Sequence, residues 1–266
     1  IPAGIFADKA HTPFISPMST NSRTTQGRKY VFRMSFVDEQ QGSVMARFAY
    51  QDLNARRAAV MFDRSDPYSN GISEVFAATF RELGGTVVSY QSFVSETLDY
   101  DAVFQEISQS SPDVLYLPGF EADVRRHVKF ARSAGFDVQF LGADGWNATE
   151  FSQLADFNSS YMTAHWMLGQ DSEAFGTRYY REFNKQPDAV AALTYDAMNI
   201  LFAAIEYSGR ADSESIRQAL FDMDVFQGVA GKVNFVDSGD PVKDVLVLHL
   251  HDGNVLLERS VNGGEF

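Results

Sequence analysis

Asp144 and Trp146 are the side chains whose types and spacing most readily suggest chemistry. They stand in Leu141-Gly142-Ala143-Asp144-Gly145-Trp146-Asn147, where two glycines flank an acid and are followed by an indole and an amide. A carboxylate holds a cation and an aromatic face covers an apolar body, so the pair suits one half of a site for a small zwitterion. The other reading is an Asx turn capping a helix that starts near Thr149, with Trp146 packed inside. Position in the fold bears on the choice. The strand expected over Val138 to Leu141 runs into the heptapeptide, and open α/β sheets gather ligands just beyond the carboxyl ends of their strands.

The elements that must place these residues follow from apolar periodicity. A helix is expected from Gln40 to Leu53, then a strand over Ala58 to Phe62 and a loop carrying Tyr68. Ile72, Val75, Phe76, Phe80 and Leu83 recur at helical spacing, and Gly84-Gly85 ends that helix. A strand from Thr86 to Tyr90, a helix from Tyr100 to Ser108, and a strand from Asp113 to Leu117 come next. The turn Pro118-Gly119-Phe120-Glu121 opens a helix from Ala122 to Ser133, which Gly135 closes before the strand into Leu141. Strands alternating with helices at this spacing imply right-handed crossovers and a parallel, doubly wound sheet. The loops bearing Tyr68, Phe120 with Glu121, and Asp144 with Trp146 then leave one edge of that sheet together.

On either side of this region the pattern is less regular. A strand over Pro13 to Ser16 leads into Met18-Ser19-Thr20-Asn21-Ser22, whose hydroxyls and N–H groups suit an anion or simply form a turn. A short strand from Tyr30 to Phe36 follows. Beyond a strand from Ser160 to Trp166, helices are expected over Ser172 to Asn184, with Phe175, Tyr179, Tyr180 and Phe183 as a core stripe, over Ala189 to Tyr207, and over Glu214 to Phe221. A strand from Lys232 to Phe235 and a hairpin of Val245 to Leu250 with Val255 to Glu258 complete the series.

Composition excludes several classes of function. With 22 Lys+Arg against 35 Asp+Glu, the formal net charge of −13 repels nucleic acid and anionic membrane surfaces. The densest basic cluster, Arg125, Arg126, His127 and Lys129, reads as a solvated helix face. Zero cysteines exclude disulfides, thiol catalysis and cysteine metal sites. No apolar run approaches the ~20 residues that cross a bilayer. His249 and His251 share one strand face without an evident third ligand, and no hydrolase elbow, phosphate loop, zincin helix or dinucleotide fingerprint occurs, so neither metal nor cofactor is expected.

A family resemblance rests on runs spread along the chain: His11 to Asn21, Tyr30 to Arg33, Gln40-Gln41-Gly42, Gly119-Phe120-Glu121, Phe140 to Trp146, Ala192 to Ala197, Gly231 to Phe235 and Gly239-Asp240-Pro241. In this order they resemble the type I periplasmic binding proteins that serve branched-chain amino acid ABC importers. The resemblance implies an α/β protein of two doubly wound parallel-sheet lobes, joined by three crossovers and closing on a ligand. One lobe would comprise residues 1–36 and 170–239, the other 37–169 and 240–266. The first lobe is expected to lack βα units that precede Ile1 in the family, very roughly 60 to 100 residues at ~30 per unit. Without them, helices after Ser172 would expose apolar faces.

By the same resemblance, Met18, Ser19 and Thr20 would meet a ligand carboxylate, and Tyr68, Phe120 and Asp144 would line the other side, Asp144 holding an α-ammonium. Glu121 and Trp146 join them by proximity, and Tyr195 is a further candidate in the first lobe. Met18 is bulkier than the small residue expected there, and Asp144 is shorter than a glutamate. The implied partners are a small amino acid or similar carboxylate and a membrane ABC permease, at a periplasmic or extracellular address that allows a lipid anchor. The same fold also serves as the ligand-sensing domain of receptors and regulators. An enzyme would need Asp144 and Glu121 as paired carboxylates, and no nucleophile and base accompany them.

Overall fold

The computed structural model describes residues 1–94, 99–169, 173–235 and 238–265. Gln170 and Asp171 of a crossover expected near 168–171, Val236 and Asp237 of one expected near 236–240, Ser172 at an expected helix start, and the terminal Phe266 lie outside the described residues. The chain divides into two compact units, one of Ile1–Val37, His165–Val245 and Val261–Phe266, the other of Asp38–Ala164 and Leu246–Ser260. The tail after Val261 thus falls with the first unit, where the Gly263 N–H donates to the Asp244 carboxylate at 3.2 Å.

The first unit begins with α1 (Pro2–Lys9), which is not among the expected helices. Its first turn carries a proline, and only Gly4 is buried, so it has no apolar period to detect. β1 (Phe14–Ser16) pairs in parallel with β2 (Val31–Arg33), and a 3-10 turn over Ser22–Thr24 lies between them.

The second unit runs through α2 (Asp38–Gln51), β3 (Arg57–Asp63), α3 (Pro67–Glu82), β4 (Thr86–Phe93), α4 (Tyr100–Gln109), β5 (Val114–Tyr116), α5 (Glu121–Ser133), β6 (Gln139–Gly142), α6 (Ala148–Ser152) and β7 (Ser160–Ala164). Back in the first unit come α7 (Glu173–Phe183), α8 (Ala189–Ser208), α9 (Ser213–Asp222), β8 (Phe226–Gly228) and β9 (Gly231–Val233). β10 (Val245–His251) and β11 (Asn254–Val261) then rejoin the second unit's sheet, whose order is β11-β10-β7-β6-β5-β3-β4. β3 to β7 run parallel, and β10 is antiparallel to β7. Strand order reverses between β3 and β5, which makes that edge the switch point where an open sheet leaves a crevice.

Acids and amides start the helices. Asp66, Asp99, Asn147, Asp188 and Asp212 each accept main-chain N–H groups in the first turn of α3, α4, α6, α8 and α9. Each such cap contributes about 1 kcal/mol, and part of the chain's negative charge is used this way.

Three expectations about faces are corrected. Val124, His127, Val128 and Ala131 form the buried stripe of α5, so His127 does not belong to a solvated basic face; it packs edge-on to Phe93 at 4.8 Å. On α7, Phe175 is buried and Tyr179 packs partly against the first unit's core, but Tyr180 and Phe183 are exposed. α8 is, contrary to expectation, long and apolar enough to cross a bilayer by length and composition. Its Ala192, Leu193, Ala197, Ile200 and Ala204 pack in the first unit's core with Phe32, Met34 and Trp166, while Val190, Met198 and Phe202 are exposed.

Candidate functional site

Asp144 sits directly after β6, and its surroundings assemble from three loops at the carboxyl edge of the parallel strands. After β3, Asp66 caps α3 by accepting from the N–H groups of Tyr68 and Ser69, with Pro67 pre-set for the first helical position. Ser69 then ties this loop to the next: its hydroxyl donates to the Pro118 carbonyl at 2.6 Å and accepts from the Asp63 N–H at 3.0 Å. The Tyr68 hydroxyl crosses to the third loop, donating to Asp144 Oδ1 at 2.7 Å and accepting from the Gly145 N–H at 3.0 Å.

Two glycines make this approach possible. A side chain at Gly145 would place its Cβ 2.6 Å from the Gly119 carbonyl oxygen and 3.2 Å from the Tyr68 hydroxyl. At Gly142 a Cβ would stand 2.3 Å from the Trp146 indole. The glycines flanking Asp144 therefore let one loop close against Gly119 and one indole fold over a strand end.

Gln41, on α2, was not anticipated as part of the site. Its amide donates to Asp144 Oδ1 at 2.8 Å and to Asp38 Oδ1 at 3.2 Å. Its carbonyl accepts from the Thr163 hydroxyl at 2.9 Å and the Asp144 N–H at 3.3 Å. Gln40-Gln41-Gly42 carried part of the resemblance, but a polar residue on a helix gives no sign that it faces inward. Burial and the Asp144 charge hold the Tyr68 phenol well above its ordinary pKa of 10, so it is a neutral donor. The buried Tyr116 phenol on β5 is raised too, by burial first and then by Asp144 and Asp38.

The aromatics divide. Phe120, 58% exposed, stacks on Tyr68 with centroids 5.3 Å apart. Trp146 is only 4% exposed; its indole N–H donates to the Leu117 carbonyl at 3.0 Å, and its ring packs on Phe151 and Phe157. The expectation that this indole covers a ligand is corrected: with its N–H spent and both neighbours aromatic, it supports the loop from below. The capping alternative is met in both its parts: Asn147 is the residue that caps α6, accepting from the Glu150 N–H at 3.2 Å, and Trp146 is packed inside. Glu121, in the first turn of α5, is bound at 2.9 Å by Arg125, which also reaches Glu150, so it belongs to a surface ion-pair cluster.

In the first unit, the loop Met18 to Asn21 hangs on Arg33. That fully buried guanidinium donates to the carbonyls of Ser19 at 2.6 Å, Asn21 at 2.9 Å and Ser22 at 3.2 Å, and to the Thr25 hydroxyl at 2.7 Å. Its Nε pairs with Asp240 at 2.6 Å. The Ser19 hydroxyl shares a 2.6 Å bond with Thr24, Thr20 is buried, and Met18 packs partly on the unit's apolar core. Tyr195 rests on Phe175 at 5.0 Å, and its hydroxyl accepts from Arg178 at 3.2 Å. Among the described residues no group of three or more His, Cys, Asp or Glu could hold a metal ion.

A family model described as periplasmic binding protein matches residues 3–254. A Leu/Ile/Val-binding protein homologue of Brucella abortus is 25% identical over 231 residues, covering 85% of this chain and 62% of that protein. The chain therefore spans under two thirds of that relative's length. Crystal structures extend the likeness. A leucine-binding protein, LivK, of Thermotoga maritima matches with TM-score 0.89 and 32% identity over 99% of this chain and 77% of its own. The substrate-binding protein LivJ of Streptococcus pneumoniae, in complex with isoleucine, matches with TM-score 0.87 and 27% identity over 98% and 75%. The chain belongs to the periplasmic binding protein family, as a type I member of the branched-chain amino acid group.

Proposed function

We propose that this chain is the ligand-binding part of an extracytoplasmic substrate-binding protein that delivers a small amino acid or related carboxylate to a membrane ABC permease. The observation that carries this reading is the fixed carboxylate of Asp144 beside the stacked pair of half-buried Tyr68 and exposed Phe120. Oriented by two neutral donors, such a carboxylate suits an ammonium group, while the aromatic pair offers an apolar wall. The Met18–Thr20 loop is assigned to the carboxylate end of the ligand. Relatives that bind leucine and isoleucine support the class of cargo.

Thermal shift of the full reading frame with leucine, isoleucine, valine, alanine and benzoate tests this. A ligand at about 100 times its Kd adds about 2.7 kcal/mol, and at least one amino acid is expected to raise Tm accordingly. Asp144→Ala is expected to abolish that shift. The assignment fails if no amino acid stabilises the protein, or if Asp144→Ala binds one unchanged.

A further inference from the structure

Gln41 is fully buried, and every hydrogen-bonding position of its carboxamide is filled. The pattern admits few other residues. One end must donate to two carboxylates, Asp38 and Asp144, while the other accepts from the Thr163 hydroxyl and the Asp144 N–H. An amide supplies two donors and two acceptors in one plane; glutamate lacks the donors, and leucine lacks both. Gln41 also touches Asp144 twice, at its carboxylate and at its main chain, so it fixes the direction in which that carboxylate faces.

We propose that Gln41 is the positioning residue that makes this site select a cationic ligand group. It shares Oδ1 of Asp144 with Tyr68 and clamps the residue by its own N–H, contributing orientation and no charge. A lysine or arginine here would orient the acid and neutralise it together. The inference rests on the reading that Asp144 holds a ligand ammonium.

The test compares wild type, Gln41→Glu and Gln41→Leu by calorimetric titration with leucine and with 4-methylpentanoate, the leucine skeleton without its ammonium, from about pH 5.5 to 8. In Gln41→Glu, a carboxylate oxygen replaces a donor 2.8 Å from Asp144 Oδ1, and two carboxylates so placed share a proton. Leucine affinity in that variant is expected to fall toward acid pH by up to about tenfold per unit, while wild type stays flat. In Gln41→Leu, the preference for leucine over 4-methylpentanoate is expected to shrink at least tenfold. An unchanged pH profile in the first variant, or an unchanged preference in the second, overturns the proposal.

Amide exchange in the ligand-free protein separates this from the broader reading. The Asp144 amide is expected to exchange at least tenfold faster in Gln41→Leu and at the wild-type rate in Gln41→Glu, which keeps the acceptor. Unchanged exchange in Gln41→Leu also overturns the clamp. Where another of the amino acids named above is the one that binds, it and its deamino analogue replace the two probes; a wild type that binds none of them refutes the amino acid reading, and with it the selection of a cation, whatever the exchange rates.

Discussion

Tyr68→Phe removes one oxygen and leaves the ring that stacks on Phe120. That oxygen makes two bonds, one to the Asp144 carboxylate at 2.7 Å and one from the Gly145 N–H at 3.0 Å. A hydrogen bond to a charged group contributes about 1.5–3 kcal/mol, and a buried N–H left without an acceptor costs about 1–3 kcal/mol. Tyr68 is half-buried, so water repairs part of the loss, and the net destabilisation is expected near 2 kcal/mol. In a chain of this size that lowers Tm by about 4–8 °C. Urea unfolding of the wild type, both single variants and the pair with Asp144→Ala gives a double-mutant cycle, with an expected coupling of about 1–2 kcal/mol. The Gly145 bond survives in the Asp144→Ala background, which is why coupling falls short of the whole effect. A Tyr68→Phe change below about 0.5 kcal/mol, with no coupling to Asp144, would refute the claim that this hydroxyl joins the two loops.

Burial lowers the His127 imidazole from 6.5 to about 4, so between those values the unfolded chain binds more protons and stability falls as pH is lowered. The full window amounts to roughly 3 kcal/mol; urea midpoints of wild type are expected to drop across it, whereas His127→Phe, lacking the titrating group, should show a flatter profile. Gly142→Ala drives a methyl into the Trp146 ring and is expected to cost about 1–3 kcal/mol and to shift Trp146 emission to the red in a Trp166→Phe background; unshifted emission with full stability would count against the packing described. Asp196→Ala strips the acceptor from the Val229 and Ala230 N–H groups, each bound at 2.8 Å, and is expected to lower stability by about 3 kcal/mol, read by urea unfolding; a loss below about 1 kcal/mol would show that solvent replaces the carboxylate.

The sheet of the second unit was legible because its strands are continuous apolar runs separated by amphipathic helices, and the convergence of the loops bearing Tyr68, Phe120 and Asp144 follows from topology alone. Side-chain direction was not legible. Trp146 and Phe120 look alike in sequence, each an aromatic one residue past a glycine and four residues past the last residue of a strand. What separates them is that Gly142 leaves room beneath one ring, while Phe120, at the cap of α5, only stacks on the half-buried Tyr68 and stays exposed. Gln41 was hidden because helical spacing shows which residues share a face without showing which polar one on the buried face finds partners. Arg33 was hidden likewise: a short strand carries no sign that its one cation will collect the carbonyls of a loop eleven or more residues away.

The exposed ring of Phe120 has no hydrogen bond in its cap position, whereas Asp144 is fastened by a phenol, an amide and two glycines. On the proposed reading, the half-site is thus divided between a fastened carboxylate and an exposed ring held by its stacking on Tyr68. Variation at Phe120 would alter which side chain is welcome while leaving the grip on a common head group intact. Under the proposed function, that division would let cargo preference change at one surface residue while the fastened carboxylate is kept.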